Sequence, residues 1–381
     1  MTAVDPAFDA QAKVMDAYFR EGEARALTLG NRGPVRFTAA GKLTPEIIDA
    51  YQDIGFYIFE DVVGDEELRE LKSELHGMLD RLPTERDSVV DHKGRPALGL
   101  GLPLSPFQWA RPLGDPLGGT ALGSSRYPVK MIEGRPAADL PAEIVYIVMG
   151  PLQFSDAALR AYAHPALLAI SAAVNGEDFV PFSEGYIIKK PGEGASFAWH
   201  QDGMTHWASP DWDPLTHGFN FMVQLYPSNA ANGVWFLPGT HRQGKLDIEA
   251  MVEANGGNLL PGAVPLICNP GDVALSNRQV LHSSFANSTA DWRVTLNLGC
   301  HRRSAVLGAT GRSFNGQETY DAERIRKRAE VIGYAIDARR QHFPEETSHA
   351  YRPHVVNGES YRWSEDARGE INAYYLRDLI I

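Results

Sequence analysis

The sequence predicts a mainly β domain with flanking helices, an α+β arrangement, and two observations support this class. Between Pro181 and Cys300, short runs of β-branched and aromatic residues are separated by Pro, Gly and Asn turns. Many short strands separated by such turn residues are typical of a sandwich, a jelly roll or a barrel. Helical periodicity appears on both sides of this region, in residues 44–82, 156–176 and 320–340. Helices are therefore expected to flank the β region.

The segment before the β region is expected to contain two helices and a strand. Thr44 is placed as an N-cap with Pro45 at the first helical position, and the helix should end by Gly55. Phe56–Val62 is aromatic and β-branched, which predicts a strand. A second helix is predicted by apolar residues at helical spacing: Leu68, Leu71, Leu75, Met78 and Leu79.

The predicted domain organisation rests on changes in composition and hydrophobic periodicity along the chain. Residues 1–42 are predicted to form an N-terminal helix and extension, and residues 43–303 the main domain. Residues 83–142 are rich in Gly and Pro with little periodicity, which is typical of a lid or binding loop inserted into a domain. Residues 304–381 are predicted to form a helical extension packed on the same domain. Pro165 is expected to start the second of two helices in residues 156–176.

Composition excludes several functional classes. The chain has 381 residues, 44% of them hydrophobic, which is enough apolar content for a core. Its net charge is −12, from 36 basic and 48 acidic residues, and it has no block of Lys or Arg. Nucleic acid and anionic membranes are therefore not expected as partners, because both need local positive charge. A small-molecule substrate and a monomer or homodimer are expected instead.

The compartment is predicted from the cysteines and from the hydrophobic segments. Cys268 and Cys300 are too few for a disulfide framework or a thiolate zinc site, and their β context predicts buried, apolar roles. The N-terminus lacks the apolar core of a signal peptide. The longest apolar stretches, Ile144–Met149 and Ala166–Val174, are far too short for a membrane span. A cytoplasmic protein is expected.

The first chemical motif is Trp199-His200-Gln201-Asp202-Gly203. In an extended strand, residues two apart point to the same face, so His200 and Asp202 can both point inward. Together they supply one imidazole and one carboxylate ligand for a metal. Taken alone, the pair is better explained as two surface polar residues, because about one His-x-Asp is expected by chance in a chain of this composition.

A second motif favours the metal-site interpretation. A β stretch contains Leu281-His282-Ser283-Ser284, and Arg293 opens the run RVTLNLGC eleven residues after His282. An inward His282 would complete two histidines and one carboxylate on one metal face, the arrangement of non-haem Fe(II) oxygenases. Arg293 would be a costly buried charge without an anionic partner. A dicarboxylate co-substrate bound by the guanidinium fork is such a partner, and Ser284 can join it.

Four segments of the chain together resemble the phytanoyl-CoA dioxygenase family of Fe(II)/2-oxoglutarate-dependent oxygenases. The resemblance covers roughly residues 43–303, and the order and spacing of the segments carry it. The segments are LTPEIIDAYQDIGFYIFEDVVGDEELRELKSEL, IIKKPGEGASFAWHQDG, NGVWFLPGTHRQG and NPGDVALSNRQVLHSSFANSTADWRVTLNL.

The resemblance implies a fold, a set of cofactors and a set of site residues. The fold is a double-stranded β-helix, a jelly-roll, cupin-like core. The cofactors are Fe(II), 2-oxoglutarate as co-substrate, and O2. His200, Asp202 and His282 would be the catalytic iron ligands, and Arg293 and Ser284 would hold the distal carboxylate of 2-oxoglutarate.

The expected activity is hydroxylation of an unactivated C–H bond in a small or medium-sized metabolite, with release of succinate and CO2. Asp202 is present where halogenating relatives have a small residue, so halogenation is not expected. The turn Leu237–His241 matches a structural signature of the family, which predicts a packing or turn role for His241. The extra length in residues 83–142 and after residue 303 means that a CoA-ester substrate should not be assumed.

Alternative functions remain open at this stage. Desaturation, cyclisation, epimerisation and oxidative cleavage would use the same iron ligands. A non-catalytic cupin-like protein that binds a metal or ligand is an alternative from another class. A zinc hydrolase built on the same three ligands would leave Arg293 without a role.

Substrate contacts are expected near the metal motif and in the inserted loop. The candidates are Glu184, Met204, Trp207, Trp109 and Arg111. His206 and His217 are expected to support the site or to be solvated rather than to bind the metal. Three lysines offer charge for a carboxylate or phosphate, although a solvent-exposed position is the default expectation for each: Lys130, Lys189 and Lys190.

Overall fold

The computed structural model describes residues 6–122, 126–203, 213, 217–313, 316–372 and 374. In chain order, the helices are α1 (Pro6–Ala26), α2 (Pro45–Ile54), α3 (Asp65–Leu79), α4 (Asp156–Tyr162), α5 (Pro165–Asn175), α6 (Ile248–Asn255), α7 (Arg303–Val306), α8 (Ala322–His342) and α9 (Arg352–Asn357). Short 3₁₀ helices span Pro151–Gln153, Thr240–Gln243 and Ala367–Ile371.

The strands form two main sheets and a separate hairpin. They are β1 (Arg32–Gly33), β2 (Phe56–Phe59), β3 (Phe107–Ala110), β4 (Ile144–Met149), β5 (Val180–Lys189), β6 (Phe197–His200), β7 (Gly218–Gln224), β8 (Trp235–Leu237), β9 (Val264–Pro265), β10 (Val273–Asn277), β11 (Leu281–Ser284), β12 (Arg293–His301), β13 (Thr310–Ser313) and β14 (Gly316–Thr319). The large sheet has the order β1-β2-β10-β7-β12-β5-β4-β3, and the small sheet has the order β6-β11-β8-β9.

A cavity lies between the inner faces of the two sheets, and residues of both sheets line it. All strand pairs of the two sheets are antiparallel except β1 with β2. Some strands that are distant in the chain are hydrogen-bonded neighbours in the sheet, for example β2 and β10. This architecture confirms the predicted mainly β class with flanking helices and is that of a jelly roll.

Helices cover the outer faces of both sheets. The main hydrophobic core lies between the large sheet and helices α2, α3, α4, α5 and α8. Helix α1 covers the small sheet, where the Tyr18 ring stacks on Trp235 at 4.6 Å and the Tyr18 hydroxyl donates to the Leu260 carbonyl. An apolar cluster that includes Phe56 of β2, Met222 of β7 and Phe236 of β8 packs the two sheets together, and polar groups lie around the cavity beside it.

The first predicted helix is confirmed, with two adjustments nearby. Helix α2 ends at Gly55, which takes the left-handed conformation at φ 95°. Thr44 occupies the N-cap position, but its side chain makes no capping hydrogen bond. Strand β2 ends at Phe59, earlier than expected, because Asp61 adopts a positive φ of 53° that an extended strand does not allow.

The inserted segment contributes more to the fold than a loop would. It contains β3, which pairs with β4 at the edge of the large sheet. The sequence analysis did not predict β3, because four residues between Pro-rich and Gly-rich stretches give too little periodicity to detect. The extension before residue 43 likewise adds β1 to the opposite edge. The boundaries 1–42, 43–303 and 304–381 stay a prediction.

Within the described part of the chain, no single helix has the length and apolar composition to cross a membrane. Helices α4 and α5 meet these criteria only as a pair, across a bend of 43°.

A buried ion pair connects the C-terminal helix α8 to the large sheet. The guanidinium of Arg328 donates to Glu184 Oε1 at 2.5 Å and to the Phe182 carbonyl at 3.0 Å, and both charged side chains are fully buried. Arg339, further along α8, pairs with Glu67 on α3. Helix α8 therefore packs on the large sheet and on α3.

We expect Arg328→Met to lower the free energy of unfolding by about 3–5 kcal/mol, because Glu184 would lose its cationic partner in a buried site. Urea denaturation measures this change. The matched control is Arg326→Met on the same helix, where the side chain is 41% exposed and its ion pairs are surface pairs. A loss of similar size in both variants would contradict the buried-pair account.

Candidate active site

The cavity between the sheets, here called the inter-sheet cavity, has a volume of about 480 Å³. Much of its wall is apolar, with side chains from both sheets. Representative apolar lining residues are Ile147, Ile187, Phe197, Met222 and Val234. Polar and charged side chains are grouped within this apolar wall, which is the usual composition of a small-molecule site.

Two histidines meet on the small sheet at one wall of this cavity. His200, at the end of β6, is the ladder partner of His282 on β11, and their ring centroids are 4.1 Å apart. Asp202 follows two residues after His200, and its Oδ1 lies 3.7 Å from His200 Nε2. The three residues are buried, and one ligand atom from each lies within 4.8 Å of the other two. The structure thus brings together the three candidate ligands.

Backbone carbonyls orient both imidazole rings. Nδ1 of His200 lies 2.7 Å from the Ala198 carbonyl, and Nδ1 of His282 lies 2.9 Å from the Val280 carbonyl. Because a carbonyl only accepts, Nδ1 carries the proton in each ring, and Nε2 keeps its lone pair. Burial lowers the pKa of both histidines, and their proximity lowers that of His200 further. Neutral rings with free Nε2 lone pairs are the metal-binding form of histidine.

Asp202 is held as a carboxylate from two sides. The Asn220 amide donates to Oδ2 at 2.6 Å, and the Arg126 guanidinium donates to Oδ1. Burial alone would raise the pKa of the Asp202 carboxyl, but the guanidinium groups of Arg126 and Arg278 hold it well below its usual range. The carboxylate is therefore ionised and fixed in position.

Arg293 presents a buried charge to the same cavity. Its side chain opens β12, is 1% exposed, and lines the inter-sheet cavity together with Ser284 of β11. Its Nε has no hydrogen-bond partner, and no acidic side chain of the described residues forms an ion pair with it. Burial lowers the pKa of Arg293 only to about 10, so the guanidinium stays charged at neutral pH. A buried guanidinium in this position could hold an anion.

The structure places one proposed substrate contact at the cavity, and two lie outside the described residues. Glu184 lines the cavity, but its carboxylate already pairs with Arg328. Met204 and Trp207 fall outside the described residues, as does His206. The substrate role of Glu184 therefore stays a prediction.

The two remaining substrate candidates do not lie at the cavity. Trp109 on β3 is buried in the main core on the outer face of the large sheet, because strand alternation turns its neighbour Gln108 inward instead. Arg111 is exposed and forms a surface ion pair with Glu133 at 2.9 Å. Neither residue lines the inter-sheet cavity, and their roles as substrate contacts stay predictions. Sequence alone did not show that Trp109 lies on a strand.

Two other histidines lie away from the inter-sheet cavity. His241 is in the 3₁₀ turn Thr240–Gln243, with Nε2 2.8 Å from the Gln52 carbonyl, as expected for a turn residue. The His217 ring is buried 5.3 Å from that of His301. Neither residue lines the cavity.

Sequence reasoning missed several residues around the metal site. The Tyr127 ring lies 4.8 Å from His200, with the Arg126 guanidinium 5.0 Å from the Tyr127 ring centre. Asn220 links Asp202 to Arg278, because its amide donates to Asp202 and its Oδ1 accepts a hydrogen bond from the Arg278 guanidinium at 2.9 Å. Strand alternation in GFNFMVQ gives a signal for Asn220, whereas nothing local marks Arg126 in its loop.

Residues 147–295 match the family model described as phytanoyl-CoA dioxygenase (PhyH). This segment contains His200, Asp202, His282, Ser284 and Arg293. Over this segment, which is less than half of the chain, the sequence is similar to that family. The match confirms the resemblance drawn from the sequence, to a family of iron- and 2-oxoglutarate-dependent oxygenases.

Several solved structures are similar to the chain at low identity. EctD from S. alaskensis with 2-oxoglutarate and 5-hydroxyectoine is 18% identical, with 72% of this chain and 81% of that chain covered and a TM-score of 0.48. AviO1 from Streptomyces viridochromogenes Tue57 is 18% identical, with 67% and 93% covered and a TM-score of 0.45. EvdMO1 is 18% identical, with a TM-score of 0.46; 67% of this chain is covered but only 49% of EvdMO1. No curated protein matches the chain.

We expect the protein to bind one Fe(II) per chain and His282→Ala to lose that binding, because two remaining ligands hold the metal poorly. Anaerobic dialysis against Fe(II) followed by metal analysis checks this. His76→Ala is the control, since that ring lies at the protein surface beside Tyr226. Retention of one tightly bound Fe(II) by His282→Ala would contradict the ligand set.

Proposed function

We propose that this protein hydroxylates an unactivated C–H bond in a small or medium-sized metabolite, with Fe(II) and 2-oxoglutarate at the inter-sheet cavity. One observation carries the proposal. Three potential metal ligands within 4.8 Å and an unpaired buried guanidinium line the same cavity. A metal site alone would fit many functions, whereas a metal site beside a buried anion site fits few.

The donor set fits a mononuclear iron site. His200, Asp202 and His282 offer two imidazole nitrogens and one carboxylate oxygen, and the ligand atoms converge from one wall of the cavity. Three ligands on one face leave the remaining positions of an octahedral metal open, the arrangement of Fe(II) oxygenases. A zinc hydrolase would use the same ligands but would give Arg293 no role.

The anion site fits the distal carboxylate of 2-oxoglutarate. Arg293 offers a planar fork of N–H donors that matches the two oxygens of a carboxylate. Ser284, on the strand that carries His282, adds a hydroxyl at the same cavity. The bound carboxylate would neutralise the guanidinium, which otherwise remains a buried charge without a counter-ion.

When bound, iron and 2-oxoglutarate supply the oxidative chemistry that uses O2, releases succinate and CO2, and oxidises the substrate. The residues of this chain position the reactants. The Ala198 and Val280 carbonyls hold the two imidazoles with Nε2 towards the metal site, and Asn220 holds the Asp202 carboxylate. Apolar side chains line part of the cavity, where they would limit the access of water to the reacting groups.

Hydroxylation is the proposed outcome because it places the fewest positioning requirements on the protein. It requires one substrate C–H bond held near the metal, and the apolar part of the cavity wall offers contacts for an apolar portion of the substrate. Desaturation, cyclisation, epimerisation and oxidative cleavage start from the same site, and product analysis distinguishes them.

We expect Arg293→Gln to weaken 2-oxoglutarate binding by roughly 100-fold or more, because the carboxylate loses a buried charge-assisted partner. Fe(II) affinity should change little, since Arg293 is not a metal ligand in this account. Anaerobic titration calorimetry measures both dissociation constants, with the surface variant Arg111→Gln as control. Equal losses of iron and 2-oxoglutarate binding would count against the assignment.

A screen of small metabolites should reveal compounds that stimulate succinate release. The product should gain the mass of one oxygen atom, because hydroxylation inserts oxygen into a C–H bond. Mass spectrometry distinguishes this from desaturation, which removes two hydrogens, and from epimerisation, which leaves the mass unchanged. A protein that binds both cofactors but never releases succinate would instead be a binding protein.

A further inference from the structure

Lys189 is a buried basic residue that the proposed chemistry does not use. The default expectation from sequence was a surface position, but the side chain is 0% exposed. It is the last residue of β5 and the direct ladder partner of Arg293 on β12. Opposite residues of an antiparallel pair point to the same face, with Cβ atoms about 4.5–5.5 Å apart. Lys189 and Arg293 therefore both point inward at the same end of the cavity.

The surrounding chain prevents Lys189 from reaching solvent. Its Nζ donates to the Phe285 carbonyl at 2.5 Å, and the Phe285 ring is anchored in the aromatic cluster with Tyr18 and Trp235. The backbone of Gly194 lies against the base of the lysine, where an added Cβ would be only 2.7 Å from Lys189 Cβ. The amine is thus fixed beside the residue that follows Ser284.

No acidic side chain among the described residues forms an ion pair with either basic group. Burial lowers the pKa of Lys189 well below its ordinary value, and the neighbouring Arg293 charge lowers it further. The other titratable group that acts on Arg293 is the Cys268 thiol. Burial raises the pKa of that thiol, so it stays uncharged and cannot compensate. While the anion site is empty, burial and the Arg293 charge therefore both disfavour the ammonium form of Lys189.

We propose that Lys189 is a positioning residue of the co-substrate site and takes up a proton from solvent when the dicarboxylate binds Arg293. This inference rests on the proposed function. The carboxylate would cancel the repulsion that Arg293 exerts on an ammonium at Lys189, and the added positive charge would in turn strengthen carboxylate binding. Lys189 does not line the cavity, so it acts through Arg293 and the Phe285 carbonyl rather than by touching the co-substrate.

The sign of the pH dependence follows from linkage. Binding raises the proton affinity of Lys189, so the complex holds more protons than the free protein. Affinity for 2-oxoglutarate should therefore rise as pH falls through the pKa of Lys189 in the complex. It should level off below the pKa of Lys189 in the free protein.

Proton uptake can be measured on the full-length, Fe(II)-loaded protein by anaerobic calorimetry with 2-oxoglutarate. Titration in buffers of different ionisation enthalpy gives the number of protons exchanged, and iron keeps the histidine ligands from titrating. We expect the wild type to take up about one proton at the optimum pH. Lys189→Met should take up none and should bind roughly 10- to 100-fold more weakly, as expected for one lost charge a few ångströms away.

The matched control is Lys190→Met, one residue along the chain, where the partly exposed lysine pairs with Glu193 at 3.8 Å. It should behave as the wild type does. Wild-type binding with no proton uptake between about pH 6 and 9 would overturn the inference, and this measurement needs no variant to fold. Equal affinities for Lys189→Met and Lys190→Met would overturn it too. No wild-type binding of 2-oxoglutarate at all would overturn the proposed function, and this inference with it.

Discussion

The buried guanidinium of Arg293 is the constraint on which the account depends. A charge removed from water costs several kcal/mol unless it is paired, and a protein normally supplies the partner from its own side chains. The buried Arg328–Glu184 pair shows this usual solution in the same fold. Arg293 has no such partner among the described residues, although it lies at the wall of a sizeable cavity. The partner is therefore expected to come from solution.

The two-sheet architecture explains why the anion site and the metal site share one cavity. The small sheet carries His200 and His282 in direct register, and the large sheet carries Arg293 and Asn220 on the facing side. Helices bury the outer faces, and a further apolar cluster packs the inner faces of the two sheets together. The polar groups of the inner faces lie at fixed positions, since strands position side chains more rigidly than loops do.

Much of the site could be predicted from sequence, because in a strand the number of residues between two side chains determines whether they point to the same face. His200 and Asp202 are two residues apart, and this spacing places them at one wall. Arg293 was recognisable because a charged residue that opens an apolar β run needs a reason to be there. The site residues on strands were therefore accessible to sequence reasoning, and the family resemblance added their roles.

The residues that sequence reasoning misplaced depend on tertiary contacts. Arg126 reaches Asp202 from an irregular loop, and no periodicity predicts where a loop side chain points. The sequence predicts a lid loop around Trp109, whereas the residue lies on β3 and its side chain packs in the main core. Lys189 is buried because the chain after β11 folds over the end of β5, which a lysine's ordinary preference for the surface could not reveal.

The central claim is that the inter-sheet cavity binds Fe(II) and 2-oxoglutarate together. Anaerobic absorption spectroscopy of the purified protein tests it most directly, because 2-oxoglutarate chelated to Fe(II) gives a weak visible charge-transfer band. The account predicts that the band appears when both are added to the wild type and is lost in His200→Ala. Absence of the band, with no stabilisation against melting by Fe(II) and 2-oxoglutarate, would contradict the account and leave only a shared fold.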